Sequence, residues 1–146
     1  MLNQERLLQL TDLMTEQGWD LLLLYGHAWR KDFFRCLLNV NFSGPHAVAA
    51  LRRSGEVHVV VSDPWDAESV SASFDGRVSL ARDFVQGLKD FVSGSTAGAI
   101  AIAGMELMEA RFVQAVQQST RPALQRDSLP AGAAAKSGTM FRWPLL

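Results

Sequence analysis

The sequence predicts an α/β domain: one mixed sheet with helices on both faces. Three observations carry that expectation. The run Leu21-Leu22-Leu23-Leu24-Tyr25, bracketed by Gly18 and Gly26, is apolar at every position and too short for a helix. Such a run suits a strand covered on both sides. The segment from His46 to Val61 then reads as two apolar strands joined by Arg52-Arg53-Ser54-Gly55, a hairpin. The second half alternates short apolar runs with amphipathic helical spacing, which is the pattern of βα units.

Each element follows from local chemistry. Asn3 is a fair cap and Glu5 sits in a first turn, while Leu7, Leu10 and Met14 share one helical stripe, so residues 4–17 form a helix that Gly18 stops. The central strand spans about 20–25. After it comes His27-Ala28-Trp29-Arg30-Lys31-Asp32, a loop, then a short helix near Phe33–Leu38 and a turn-rich connector, Asn39 to Pro45. Strands follow at 46–51 and 56–61. Asp63-Pro64 opens a helix, with Asp63 as cap, Pro64 at the first helical position, and Trp65 and Val70 turned inward. A short strand is expected at 77–80. Phe84, Val85, Leu88, Phe91 and Val92 keep helical spacing, and 97–103 is a further buried strand. A helix from Glu106 carries Met108, Phe112, Ala115 and Val116 on one face until Arg121-Pro122 breaks it. Ala123-Leu124-Gln125-Arg126 is then an edge strand. The expected result is a three-layer domain over 1–128, with a mixed six-stranded sheet, followed by a tail or truncated linker over 129–146.

Composition narrows the function. The chain has 146 residues, one cysteine and a formal net charge of -1. A near-neutral chain lacks the basic face of a nucleic-acid binder and offers nothing to an anionic membrane. No apolar run approaches the ~20 residues of a membrane helix. A lone Cys36 forms no internal disulfide, so a reducing, cytoplasmic setting is expected. Flanked by Arg35 and by Leu37-Leu38, Cys36 reads as a buried structural residue rather than a nucleophile.

Few residues suggest chemistry. His27, His46 and His58 have no cysteine partner or carboxylate cluster at ligand spacing, so no metal site is expected. Gly132 to Ser137 only echoes a phosphate loop, and Gly94 to Gly104 lacks dinucleotide-binding spacing. Asp20, Asp63 and Asp66 would suggest a two-metal nuclease only if gathered. Each has a simpler role at the boundary of an element. The remaining candidates are His27, Trp29, Arg30 and Asp32 after the central strand, with Asp63 and Trp65 after another. Loops leaving strand ends hold binding groups in α/β folds, and Trp with Arg favours an interface.

Several stretches also resemble a known family. Arg6-Leu7-Leu8 with Met14, then Gly18-Trp19-Asp20-Leu21-Leu22-Leu23, resembles the opening of the creatinase/prolidase/aminopeptidase P proteins. The hairpin Ala49-Ala50-Leu51 to Gly55-Glu56-Val57-His58-Val59-Val60 resembles their next segment. Ile100 to Met108 resembles a later strand and its glycine-containing turn into a helix. The likeness covers about residues 5–128. It implies a ribonuclease-H-like amino-terminal domain that holds no cofactor of its own. In the family a following domain binds two metal ions through two Asp, one His and two Glu, and none of those ligands has a matching position here. The resemblance implies a non-catalytic domain that supports dimer formation and shapes the entrance to a catalytic domain. The expected partners are therefore a second copy or a catalytic domain, with no nucleic acid and no membrane. Lys136-Ser137 resembles the family's entry to the catalytic domain, but Gly-Thr-Met-Phe-Arg-Trp-Pro follows, as in a fragment, a truncation or a frame-shifted end. An independent binding or regulatory module is the alternative role. A small nuclease on the same fold is the third.

Overall fold

The computed structural model describes residues 4–93 and 99–126, with the side chains of Cys36 and of 120–126 left aside. Its strands are β1 (Leu21–Gly26), β2 (Ala47–Arg52), β3 (Val57–Val61), β4 (Arg77–Leu80) and β5 (Ile100–Ala103), and its α-helices are α1 (Gln4–Gln17), α2 (Pro64–Ser73), α3 (Phe84–Ser93) and α4 (Ala110–Arg126). They form one sheet in the order β4-β3-β2-β1-β5. β1 runs antiparallel to β2 and β2 to β3, whereas β4 and β5 join the two sides as parallel strands. Arg52 N–H donates to the Glu56 carbonyl and closes the predicted hairpin.

β1 is buried along its whole length and sorts its side chains by parity. Leu22 and Leu24 face a layer built from Leu7, Leu10 and Met14 of α1, Phe34, Leu37 and Leu38, and Val70 of α2. Leu21, Leu23 and Tyr25 face Phe84, Leu88 and Val92 of α3 and Phe112, Ala115 and Val116 of α4. Three layers follow from this one strand, as expected. The short helix predicted after the loop is a π-helical turn, Phe34–Leu38, closed by Asn39 in the left-handed conformation.

Three expectations need correction. The sheet has five strands among the described residues, because α4 runs on through Pro122 to Arg126. Proline costs an established helix about 3 kcal/mol, but Ala, Leu, Gln and Arg are all strong helix formers and contain no β-branched residue that would favour a strand. The helix expected from Glu106 is split. Met105–Leu107 is a 3-10 turn, Met108 is extended, and α4 starts at Ala110. Gly104 leads this turn at φ +88°, and a Cβ there would stand 2.8 Å from the Tyr25 carbonyl oxygen. Trp65 points outward, 73% exposed, while Val70 is buried. The inward position one turn before Val70 belongs to Asp66, and Trp65 lies about 140° around the helix from Val70.

Asp66 is 1% exposed. Its carboxylate accepts the backbone N–H groups of Ser43 (2.8 Å) and Gly44 (2.6 Å), pinning the connector before β2 onto α2. A Cβ on Gly44 would stand 2.6 Å from that carboxylate. Asp20 is a second clip, at the opposite end of β1. Its Oδ2 accepts Ala99 N–H at 3.0 Å and its Oδ1 pairs with Arg53 at 3.1 Å. The tail from 129, the Gly132–Ser137 stretch and the start of the strand expected at 97–103 lie outside the described residues, as does the side chain of Cys36.

Candidate functional site

One edge of the sheet gathers the carboxyl ends of β1, β3, β4 and β5. Ala47, at the start of β2, pairs with both Gly26 and Val61. The loops after β1 and β3 therefore leave the sheet about 10 Å apart, two strand spacings. That register brings the two groups of predicted site residues to one edge.

The loop after β1 is a tight turn. His27 and Arg30 exchange backbone hydrogen bonds at 3.0 and 3.1 Å, and His27 Nδ1 accepts Trp29 N–H at 3.2 Å. Ala28 and Trp29 form its tip, so Trp29 has no core to enter and is 90% exposed. Arg30 and Asp32 approach to 3.8 Å with both side chains exposed, an ion pair worth little on its own. After β3, Asp63 caps α2 by accepting Trp65 N–H at 2.8 Å. Trp65 follows at the helix start and faces outward.

A cleft of about 500 Å³ opens on the same edge, over the α3 and α4 face. Its walls include Pro45, His46, Ser62, Asp63, Arg82, Asp83, Phe84, Arg111 and Phe112. Of the predicted residues only Asp63 lines it. His27 stands near enough for its charge to push the His46 pKa down. Trp29, Arg30, Asp32 and Trp65 are placed away from the cleft walls.

His46 organises the cleft. Its ring lies 5.5 Å from Phe84 in a stacked arrangement and 4.6 Å from Phe112 edge-on. Nδ1 is 2.8 Å from the Tyr25 hydroxyl and Nε2 is 3.5 Å from Glu109. Burial lowers the His46 pKa, with Glu109 opposing and Arg111 reinforcing the shift. The ring is therefore neutral at pH 7. A neutral ring facing a carboxylate keeps its proton on Nε2, so Nδ1 accepts from the tyrosine. Tyr25 suits that donor role, since burial, with Glu109 adding to it, raises its pKa to about 12. Glu109 also accepts from Arg111 Nε at 2.7 Å, and the Arg111 guanidinium lies 4.7 Å from the Phe112 ring.

Arg82, Asp83, Glu109 and Arg111 are absent from the sequence expectations. Their signal was positional: they follow β4 and β5, two parallel strands whose carboxyl ends define the binding edge of an open α/β sheet. The other histidine of the hairpin packs away from the cleft: His58 Nε2 lies 2.7 Å from Ser79 Oγ and its ring 4.7 Å from Phe91. Among the described residues no three of His, Cys, Asp or Glu gather to hold a metal ion. Asp20 lies at the far end of the sheet from Asp63 and Asp66, so the three carboxylates do not form a cluster.

No family model and no curated protein matches the chain. Solved structures do. The creatinase/prolidase N-terminal domain of an X-Pro dipeptidase from Streptococcus pyogenes superposes with a TM-score of 0.62 at 10% identity, over 84% of this chain and 98% of that one. The chain has the creatinase/prolidase amino-terminal fold. The N-terminal domain of a cytoplasmic peptidase from Mycobacterium tuberculosis gives 0.62 at 14% identity, over 80% and 85% of the two chains. An Xaa-Pro dipeptidase from Bacillus anthracis gives 0.62 at 15% identity, over 80% of this chain but only 31% of its own length. The chain thus spans about a third of that dipeptidase, and the likeness is one of fold. Within the creatinase/prolidase amino-terminal fold, the edge bearing Trp29 and the cleft is where the loops of four strands meet.

Proposed function

We propose that this chain is a non-catalytic creatinase/prolidase amino-terminal domain that works by association. In this reading the edge carrying Trp29, Arg30, Asp32 and Trp65 docks on a second copy, and the same edge borders the substrate entrance of a metal-dependent Xaa-Pro peptidase or creatinase-like catalytic domain. The observation that carries it is the pair of tryptophans. Trp29 is 90% exposed in the loop after β1 and Trp65 73% exposed in the first turn of α2, and the two segments leave the sheet about 10 Å apart. Large aromatics with a neighbouring arginine are the residues that dominate binding energy at interfaces. A cytoplasmic setting fits this reading. Nucleic acid and membrane have no part in it, and no helix among the described residues is long and apolar enough to cross a membrane. The described residues gather no ligand set for a dinuclear metal centre.

Light scattering on the eluting protein tests the docking role. The wild-type chain is expected to dimerise. Trp29→Ala combined with Trp65→Ala should leave monomer, with thermal stability within about 0.5 kcal/mol of the wild-type chain diluted until it too is monomeric, because both side chains stand in solvent in the single chain. A wild-type chain that stays monomeric at high concentration overturns the self-association. Assayed on Xaa-Pro peptides with Mn²⁺ or Co²⁺, the chain should give no turnover above buffer. Robust turnover would refute the non-catalytic reading.

A further inference from the structure

The cleft at His46 has a charge pattern that selects among ligands. Its walls carry two cations, Arg82 and Arg111, and two anions, Asp63 and Asp83. A simple anion placed there meets two carboxylates, and a simple cation meets two guanidiniums. A neutral apolar molecule would strip water from all four charges without replacing its hydrogen bonds. A molecule that carries both signs satisfies both sets. The carboxylates are also held for such contacts. Asp63 Oδ1 is engaged by Trp65 N–H (2.8 Å) and Asp83 Oδ1 by Gln86 N–H (3.1 Å). Each carboxylate is thereby oriented by a helix start and keeps a second oxygen. Arg111 is oriented by Glu109 and by the Phe112 ring.

The cleft walls are also aromatic. Phe84 and Phe112 meet edge-to-face at 5.0 Å, and the neutral His46 ring packs on both. About 500 Å³ lies within the range of small-molecule sites.

We propose that this cleft binds a zwitterionic α-amino acid with an aromatic or large apolar side chain. The ligand carboxylate faces Arg82 and Arg111, its ammonium faces Asp63 and Asp83, and its side chain rests on Phe84, Phe112 and His46. The cleft shares its edge with Trp29 and Trp65, but neither tryptophan lines it, so failure of the ligand site would leave their docking role untouched.

Titration of the ¹⁵N-labelled full chain with L-phenylalanine tests it by amide chemical shifts. Saturable shifts are expected at Ser62, Asp83, Arg111 and Phe112. Phenethylamine lacks the carboxylate and N-acetyl-L-phenylalanine lacks the ammonium, and each should bind at least about tenfold more weakly, the loss of one charge-assisted contact. Arg82→Ala and Asp83→Asn should each weaken L-phenylalanine binding by about tenfold, with Asn retaining the helix cap and a dispersed spectrum confirming the fold. No saturable shift up to about 50 mM, weaker than any useful small-ligand affinity, would overturn the proposal. So would equal binding of either analogue, or variants that bind as wild type.

Discussion

Asp66 holds two backbone amides in a buried setting, and its loss should be felt at once. Asp66→Ala removes the acceptor and leaves both N–H groups without it. The expected cost is about 2–3 kcal/mol, read from the urea midpoint, since orphaned buried donors are penalised more than a hydrogen bond rewards. His46 and His58 give a second expectation, in pH. Burial lowers both pKa values from 6.5. As pH falls below 6.5 the unfolded chain takes up these protons first, while the folded chain resists until its lowered values are reached. The stability they contribute is full above pH 6.5 and is lost as pH falls through that window. Urea midpoints at pH 7.5 and 5.5 should therefore differ, and the double variant His46→Gln with His58→Gln should show a smaller difference. Individual residues were the least legible part of the sequence. Asp66 read as a helix-start residue, and Trp65 as core, because nothing local announces that a connector 22 residues upstream needs an acceptor.

Elements were easier to read, for a physical reason. The four leucines of β1, the hairpin at Arg52–Gly55, and the spacing of Phe84, Leu88 and Val92 each express a local preference that the packing agrees with. Where local signals conflict, sequence and structure diverge. Pro122 suggests a stop, yet the helix-forming residues on either side carry α4 past it. Glu106 suggests a start, yet Gly104 at positive φ diverts the chain into a tight turn before α4 begins. Gly104→Ala tests that turn. It combines a strained φ with a Cβ 2.8 Å from the Tyr25 carbonyl, and should destabilise by about 1–3 kcal/mol in chemical denaturation. Leu22→Ala and Leu23→Ala probe the two faces of β1 separately. Each should cost about 2–5 kcal/mol, because both side chains are fully buried in opposite layers.

Across the whole molecule, the three-layer plan is what was most visible in the sequence, since a strand apolar on both faces demands two covering layers. The candidate site was visible only in part. The loops after β1 and β3 were found by their composition, whereas the cleft depends on β4 and β5 delivering Arg82, Asp83 and Arg111 to the same edge. That convergence is a property of strand order, which the linear sequence does not display. The strand order also separates two tasks. Trp29 and Trp65 stand out from the edge where another surface can reach them, while the neutral His46 and its aromatic neighbours line an open cleft on the same edge.

The double burial of β1 has one more consequence. In a strand with one wet face, slipping by a single residue exposes leucines and is punished along its whole length. Here both faces are apolar and Leu21, Leu22, Leu23 and Leu24 are chemically identical, so within this run a slip exchanges leucine for leucine and only Tyr25, held on His46, is displaced. Alignment must come from the ends. The Asp20 carboxylate on Ala99 and Arg53 fixes one terminus, and the close approach of Gly104 to the Tyr25 carbonyl fixes the other. These two contacts act as bookends, and weakening either would admit misaligned sheets that are nearly as compact as the native one.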